Sequence, residues 1–277
     1  MARAGTMIAS MPKLLISDVD GTLVRDDKSL SDRTEHAVKR LRNAGVAVSL
    51  ISARPPSGMY WIAERLGIEG PMGAFNGGTL FMADRAITCA QRLDAGVAKQ
   101  ILAMLESGGV EPWVFAEGKW MARRGETLHA SSERQSANIE PTLCKDFSGH
   151  LIPADKIVGV SDDHALLARL ERETCDRFGH EATIKRSQPY YLDFTAPKAN
   201  KGEGVAAIAR AFGVSLADVL VIGDGHNDVA MFERAGDSVA MGNADAEVRT
   251  KAKRTTVSNE EDGVAVIIEN LLTKIEA

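Results

Sequence analysis

The sequence predicts an α/β fold: a parallel sheet covered by helices, interrupted by an inserted α+β segment. Three observations carry this. In the first third of the chain, short apolar runs alternate with helical stripes, the pattern of a parallel sheet buried on both faces. The last third repeats the alternation. The middle breaks it, because two aromatic runs there are joined by a tight turn, which reads as a hairpin.

Leu14 to Ile16 form the first apolar run, which stops at Ser17-Asp18. Ser31 can cap a helix that carries Ala37, Val38, Leu41 and Ala44 on one face and closes at Gly45. Val46 to Ile51 is a second strand, and Ser57 to Leu66 a helix closed by Gly67. The middle opens with a helical stripe of Val97, Ile101, Leu102 and Leu105. The hairpin follows, Trp113 to Ala116 and Trp120 to Ala122 around Glu117-Gly118. Ile157 to Val160, Thr183-Ile184 and Tyr190 to Phe194 read as strands, and Leu166 to Phe178 as a helix. Beyond them, Val205, Ala206, Ile208, Ala209 and Phe212 make a helical stripe ending at Gly213. A strand at Val219 to Ile222, a helix at Asn227 to Arg234, short strands at Val239 to Met241 and Thr255 to Val257, and a helix at Gly263 to Leu272 complete the chain. The expected division is a core of residues 1–83 and 196–277 and an insert of residues 84–195, each long enough to bury its own apolar centre.

Composition narrows the function. With 277 residues, 44% hydrophobic and 26% charged, the chain is neither a disordered segment nor a small disulfide scaffold. Its 33 basic and 38 acidic side chains leave a net charge of −5, so nothing global draws it to nucleic acid or to an anionic membrane. No run approaches the roughly 18 apolar residues of a membrane span. Met1 to Pro12 holds one Arg and no apolar stretch of signal-peptide length, which leaves the cytoplasm as the expected location. Cys89, Cys144 and Cys175 lie far apart without CxxC spacing. They suit a reducing compartment and are expected to be small buried side chains. Nothing in the sequence sets an oligomeric state.

Two constellations carry chemistry. Asp18-Val19-Asp20-Gly21-Thr22 follows the first strand directly, and ligands of parallel sheets bind outside the carboxyl ends of the strands. Carboxylates two residues apart leave an extended chain on the same side and repel unless a cation or a proton lies between them. An acidic turn has the same composition. The calcium-loop pattern is not met, since Gly21 falls fourth rather than sixth. The second constellation, Gly223-Asp224-Gly225-His226-Asn227-Asp228, follows a late strand. Asp18 and Asp224 can converge there on one hard cation, while Asn227 or Asp228 can equally serve as a helix cap. His226 reads as an exposed loop residue. Ser52-Ala53-Arg54 ends the second strand at the same rim, where a hydroxyl and free amides can hold a phosphate. Lys201 opens a helix, a position that opposes the macrodipole, and either faces solvent or meets an anion. Gly202-Glu203-Gly204-Val205-Ala206-Ala207 matches the dinucleotide pattern GxGxxA. It does not follow a strand at once, as that fingerprint requires, and it leaves Asp18 and Asp20 unexplained.

In this order, with the insert between the second and third motifs, these segments resemble the haloacid dehalogenase (HAD) superfamily, and within it the Cof-type phosphatases with a type IIB cap. The family's second motif is often Thr-Gly-Arg. Ser52-Ala53-Arg54 keeps the hydroxyl and the Arg without the Gly. Phe75-Asn76-Gly77-Gly78 is similar to the family's Asn-Gly turn after its third core strand.

The resemblance implies a Rossmann-like parallel-sheet core with an inserted α+β cap, and a Mg²⁺-dependent phosphatase acting on a small phosphomonoester, a sugar phosphate or similar metabolite. It assigns Asp18 as the nucleophile that becomes an aspartyl-phosphate and Asp20 as general acid and then base. Mg²⁺ is assigned to Asp18, the backbone carbonyl of Asp20 and Asp224, with Asp228 supporting the shell from behind. Ser52, the Ala53 amide, Asn227 and Lys201 are assigned to the phosphoryl oxygens, with Arg54 and Asn76 in support. The cap would choose the leaving group, and Trp113, Trp120, Tyr190 and Tyr191 either face the substrate or pack the cap's own sheet. Two other activities use the same residues: a phosphomutase, and an idle metal- or phosphate-binding protein on the same fold.

Overall fold

The computed structural model describes residues 11–276, so the reading of Met1 to Pro12 lies almost wholly outside the described residues. β1 (Leu14–Ser17) is fully buried, and β2 (Ala47–Leu50) pairs with it in parallel across α1 (Asp32–Asn43). Ser31 caps α1 by accepting the Thr34 amide, and α1 buries Thr34, Ala37, Val38 and Leu41. The next predicted helix is shorter than its sequence pattern. It begins as a 3₁₀ turn at Pro56–Gly58 and becomes α2 (Tyr60–Leu66) only after it. The cause is local: the Arg54 guanidinium takes the Gly58 carbonyl at 3.0 Å and withdraws it from a helical ladder.

Three short antiparallel strands follow that periodicity did not announce: β3 (Met72–Ala74), β4 (Thr79–Phe81) and β5 (Ile87–Ala90). Runs of three or four residues are too brief to show alternation, and β5 is exposed. β5 lies past residue 83, inside the predicted insert, yet pairs with β4. A parallel bridge from Ile51 to Gly73 joins β3 to the edge of the main sheet.

α3 (Ala95–Ser107), capped by Asp94, leads into the hairpin of β6 (Glu111–Ala116) and β7 (Lys119–Ala122). Glu117 and Gly118 turn that hairpin with positive φ. α4 (Ala130–Ala137) and β8 (Pro141–Leu143) were not anticipated, because Ala130–Ala137 is mostly polar and β8 is three residues long. β9 (Ala154–Val160), α5 (His164–Phe178), β10 (Thr183–Gln188) and β11 (Tyr191–Thr195) finish the segment. Its six-stranded sheet runs β10-β11-β9-β6-β7-β8. Alternation sorts its side chains. Val114, Ile157 and Leu192 meet α3 and α5, whereas Trp113, Phe115, Trp120, Val158 and Tyr191 join the apolar cluster of α1, α2 and β3.

The chain returns through α6 (Lys201–Ala211), β12 (Val219–Gly223), α7 (Val229–Arg234), β13 (Asp237–Ala240), α8 (Ala246–Lys251), β14 (Arg254–Thr255) and α9 (Gly263–Glu276). The parallel sheet runs β14-β13-β12-β1-β2. From β1 the chain builds outward on one side through β2 and later on the other through β12, so the switch in strand order falls between β1 and β12. Ser17 sits beside Ile222 there, and the motifs that follow both strands meet at one rim, where such sheets bind ligands.

The glycines of the GxGxxA sequence have a packing role. A Cβ on Gly202 would lie 2.7 Å from the Ala230 carbonyl, and one on Gly204 2.8 Å from the Gly77 Cα. They let α6 press against α7 and the turn after β3. One expectation is corrected: Cys89 and Cys175 are exposed and Cys144 is half-buried, because they fall on an exposed strand, a helix's outer face and a loop. Among the described residues no helix is long and apolar enough to cross a membrane.

Gly204→Ala places a methyl against backbone that cannot rotate away. We expect a loss of about 1–3 kcal/mol, read as a lower urea midpoint at unchanged m value.

Candidate active site

The rim between β1 and β12 gathers four carboxylates and one buried ammonium. Asp18 is fixed by its amide, which donates to the Ile222 carbonyl at 2.9 Å. The chain then winds tightly, with the amides of Leu23 and Val24 both reaching the Val19 carbonyl. Gly21 takes φ +73°, and a Cβ there would lie 2.4 Å from Asp224 Oδ2. Only a glycine lets the first motif approach the second so closely. Thr22 Oγ1 donates to Asp224 Oδ1 at 2.6 Å and locks the contact.

Lys201 opens α6, and its helix start is capped by Asn200, not by its own side chain. The long stem carries Nζ into the interior, 2.6 Å from Asp18 Oδ1 and 2.6 Å from Asp228 Oδ1. At 1% exposure it is not a solvated lysine. Burial alone would lower its pKa, but the charges of Asp18 and Asp228 outweigh that and hold the ammonium protonated well above the usual lysine range. Asp228 is fully buried, and its other oxygen accepts the amides of Asp224 and Gly225 at 2.8 Å each. Both of its oxygens are therefore engaged.

Asp18, Asp224 and Asp228 each bring an oxygen within 4.8 Å of the others. Burial raises the Asp18 carboxyl well above its ordinary range despite Lys201, with Asp228 and Asp224 adding to the rise. Burial and then Asp228 push Asp224 up to about 6. Crowded carboxylates of this kind favour binding a cation between them. Since Asp228 is spent on Lys201 and two amides, the oxygens of Asp18 and Asp224 are the ones that face outward. The set is all oxygen, which suits a hard divalent ion such as Mg²⁺.

Asp20 lives differently, two residues away. Burial alone would raise it, but Arg54 Nε and Nη2 donate to its two oxygens at 2.6 and 2.7 Å, and Lys28 Nζ adds a third contact at 2.8 Å. Together these hold its carboxyl well below the usual range. Arg54 is thus tied to the first motif, and its amide donates to Ser52 Oγ at 3.2 Å. Asn76, at φ 58°, accepts from Asn227 Nδ2 at 3.0 Å and fixes the latter's amide at the rim.

Asp18, Asp20, Ser52, Ala53, Arg54, Asp224 and Asn227 border one cavity of about 160 Å³. Lys201, Asp228 and Asn76 stand behind it. Of the four aromatic residues, Trp113 and Trp120 are 0–1% exposed and pack against each other, whereas Tyr190 and Tyr191 border the cavity. Sequence reasoning gave no role to Thr22, Lys28, Glu133 or Lys156. Thr22 stood inside a quoted motif. Lys28 lies eight residues past Asp20 without a motif of its own, and Glu133 and Lys156 come from distant segments that only folding brings to this cavity.

Residues 15–268 match the family model of haloacid dehalogenase-like hydrolases. A Bacillus subtilis 5-amino-6-(5-phospho-D-ribitylamino)uracil phosphatase is 30% identical over 92% of this chain and 95% of its own. An HMP-PP phosphatase of Cronobacter sakazakii is 27% identical over 84% and 85%. A crystal structure of a haloacid dehalogenase-like hydrolase from Bacteroides thetaiotaomicron superposes with a TM-score of 0.85 at 27% identity, covering 94% of this chain and 99% of that one. The fold is shared with a HAD subclass IIB sugar phosphatase, at a TM-score of 0.80 and 23% identity over 93% and 98% of the two chains. With residues 15–268 matched by that family's model, the chain belongs to the haloacid dehalogenase-like hydrolases and is a phosphatase of the Cof type.

Proposed function

We propose that the protein hydrolyses a small phosphomonoester, a sugar phosphate or similar metabolite, through an aspartyl-phosphate on Asp18, with Mg²⁺ as cofactor. The observation that carries this reading is the pairing of unlike carboxylates at one cavity: Asp18 buried against Lys201, and Asp20 held apart by Arg54 and Lys28. The relatives' names, one for a ribityl phosphate compound and one for HMP-PP, support a phosphorylated metabolite as substrate. Residues 84–195 would be the cap that covers the cavity, and residues 1–83 and 196–277 the catalytic core. The separate cysteines suit a cytoplasmic setting.

In this reading Asp18 Oδ attacks phosphorus, a P–O bond forms, and the bond to the leaving alcohol breaks. Asp20, which takes up a proton from solvent as the phosphate group binds, delivers it to that alcohol's oxygen. The phosphoryl charge draws on Lys28 and Arg54, which loosens their hold on Asp20 and raises its proton affinity. Asp20 then takes a proton from the water that attacks the aspartyl-phosphate, returning Asp18 as a carboxylate and releasing phosphate. Ser52, the Ala53 amide and Asn227 would orient the phosphoryl oxygens, and Lys201 would offset their charge. Asp18, the Asp20 carbonyl and Asp224 would hold Mg²⁺, with Asp228 fixing Lys201 and the Asp224 amide behind them. Bound there, Mg²⁺ supplies positive charge for the phosphoryl group. Asp20 weighs against an idle binding protein, which needs no acid and base. Inorganic phosphate released from a sugar phosphate tests the reading against both alternatives, since a binder releases none and a mutase mainly isomerises.

Three outcomes follow from these residues. Exhaustive chelation should abolish phosphate release, and Mg²⁺ should restore it. Full activity without a divalent ion would remove the metal from the mechanism. Asp18→Asn should leave no covalent intermediate. Asp20→Asn should slow hydrolysis of the intermediate by about 10²–10⁴-fold, so that rapid-quench mass spectrometry finds phosphate on the peptide holding Asp18. Accumulation in Asp18→Asn instead would reverse the two roles. Lys201→Ala should abolish turnover and also cost about 3–5 kcal/mol of stability near pH 7, because it strands buried carboxylates. The sign of its pH dependence follows from Asp18. A carboxyl raised in the folded state contributes stability that is present below its ordinary range and lost as pH rises through the raised value. The variant should therefore regain stability on acidification, read from thermal melts across pH.

A further inference from the structure

Facing the catalytic cavity, the cap sheet carries a cluster of buried charge whose hydrogen bonds are incomplete. Lys156 lies on the same face of β9 as Val158 and is 4% exposed. Its Nζ reaches Asp193 Oδ2 and the Ala53 carbonyl, each at 3.4 Å, and stands 5.2 Å from the centre of the Phe115 ring. An ammonium has three donors, and a charge-assisted bond normally closes to about 2.7–2.9 Å. Both contacts of Lys156 are long, and among the described residues no third acceptor meets it. Asp193, 3% exposed on β11, has one oxygen engaged by Lys156 and the other, Oδ1, without a partner among the described residues. Glu133, brought in by α4, is 8% exposed. Burial raises its carboxyl, with Lys156 opposing, Asp193 and Asp20 adding to the rise, and the Tyr191 hydroxyl lowering it.

Buried ions with unfilled hydrogen bonds are destabilising by several kcal/mol. Lys156 and Glu133 border the same cavity as Asp18 and Asp20, so a ligand in that cavity can fill what the chain leaves open. The chemistry of that ligand is constrained by what is already spent. Arg54 and Lys28 serve Asp20 and the phosphoryl end, and Lys201 serves Asp18, Asp228 and the phosphoryl oxygens, so none of them is left for the leaving group. At the cap end the Lys156 ammonium pairs with Asp193, and Glu133 borders the same cavity as a further carboxylate, a balance that cannot welcome another anionic group. It suits oxygens that both donate and accept.

Resting on the phosphatase reading, we propose that Lys156 and Glu133 form the leaving-group subsite and read adjacent neutral hydroxyls, Lys156 donating to one oxygen and Glu133 accepting from the next. The contact of Lys156 with the Ala53 carbonyl joins this subsite to the loop that would hold the phosphate. A leaving group carrying a carboxylate meets Glu133 as a like charge and is disfavoured, which makes the site selective by repulsion as well as attraction. A leaving group without hydroxyls leaves Lys156 as poorly paired as before.

The test compares kcat/KM for sorbitol 6-phosphate, hexyl phosphate and 6-phosphogluconate, three six-carbon esters, with p-nitrophenyl phosphate as the reference. The wild type should favour sorbitol 6-phosphate over hexyl phosphate by about 100-fold or more, a part of the roughly 10⁴–10⁵-fold by which a site built for hydroxyls can reject their absence. Lys156→Met should collapse that ratio to within about threefold. Glu133→Gln is close to isosteric and answers the question even if Lys156→Met fails to fold. It should raise 6-phosphogluconate relative to sorbitol 6-phosphate by about 10-fold. The proposal is overturned if the wild type treats the sorbitol and hexyl esters alike, or if Glu133→Gln keeps the wild-type ranking. It is also overturned if a folded Lys156→Met retains the wild-type ratio. If wild-type protein releases no phosphate even from p-nitrophenyl phosphate, the phosphatase reading itself has failed, a result distinct from an unselective enzyme.

Discussion

The buried ammonium of Lys201 is the contact on which the rim of this protein depends. It joins Asp18, at the end of β1, to Asp228, at the start of α7, from a position on α6. Three segments far apart in the chain are thus tied at one charge, and without it the carboxylates of Asp18, Asp224 and Asp228 would crowd with nothing between them. Charge removed from water is costly unless paired with good geometry. Here the 2.6 Å contacts and the two amides on Asp228 meet that requirement. The arrangement needs α6 pressed close to the sheet, which Gly202 and Gly204 allow.

Within one pentapeptide the environment separates two like side chains. Asp18 faces inward to Lys201, with its carboxyl raised by burial. Asp20 turns the other way and is lowered, because Arg54 and Lys28 outweigh its burial. Directly after Asp20, Gly21 bends the chain through a positive φ beneath Asp224. Environments that push paired carboxyls apart are a recurrent feature of sites that need one group as nucleophile and another as acid or base. Arg54 does double service, since its remaining nitrogen holds the Gly58 carbonyl and so sets where α2 can begin.

The cap sheet is built on the same economy of two faces. Its strands alternate between residues that meet α3 and α5 and residues turned toward the catalytic layer. Lys156 and Asp193 occupy positions on the second face that would otherwise be apolar, flanked by Phe115, Val158 and Tyr191. Tyr190 is already stacked on His129 at 3.7 Å. Its ring is therefore a fixed wall of the cavity.

The sequence by itself determined the alternation of strand and helix, the interruption in the middle, and the two acidic motifs, because periodicity and turn residues are local properties. Asp18, Asp20, Asp224 and Asp228 were legible from their place just after buried strands. The three short strands β3 to β5 and the polar helix α4 were not, since they carry too few residues to show a period. Tertiary structure decided everything that depends on distance. Lys201 could have been a solvated helix-start lysine, and only the packing of α6 against α7 buries it. Arg54 and Lys28 became partners of Asp20 through the turn at Val19. Glu133 and Lys156, from a helix and a strand of the insert, meet the catalytic cavity only because the cap sheet presents one face to the core. Charges separated by a hundred residues leave no spacing to read, and their energies depend on burial that exists only once the chain has folded.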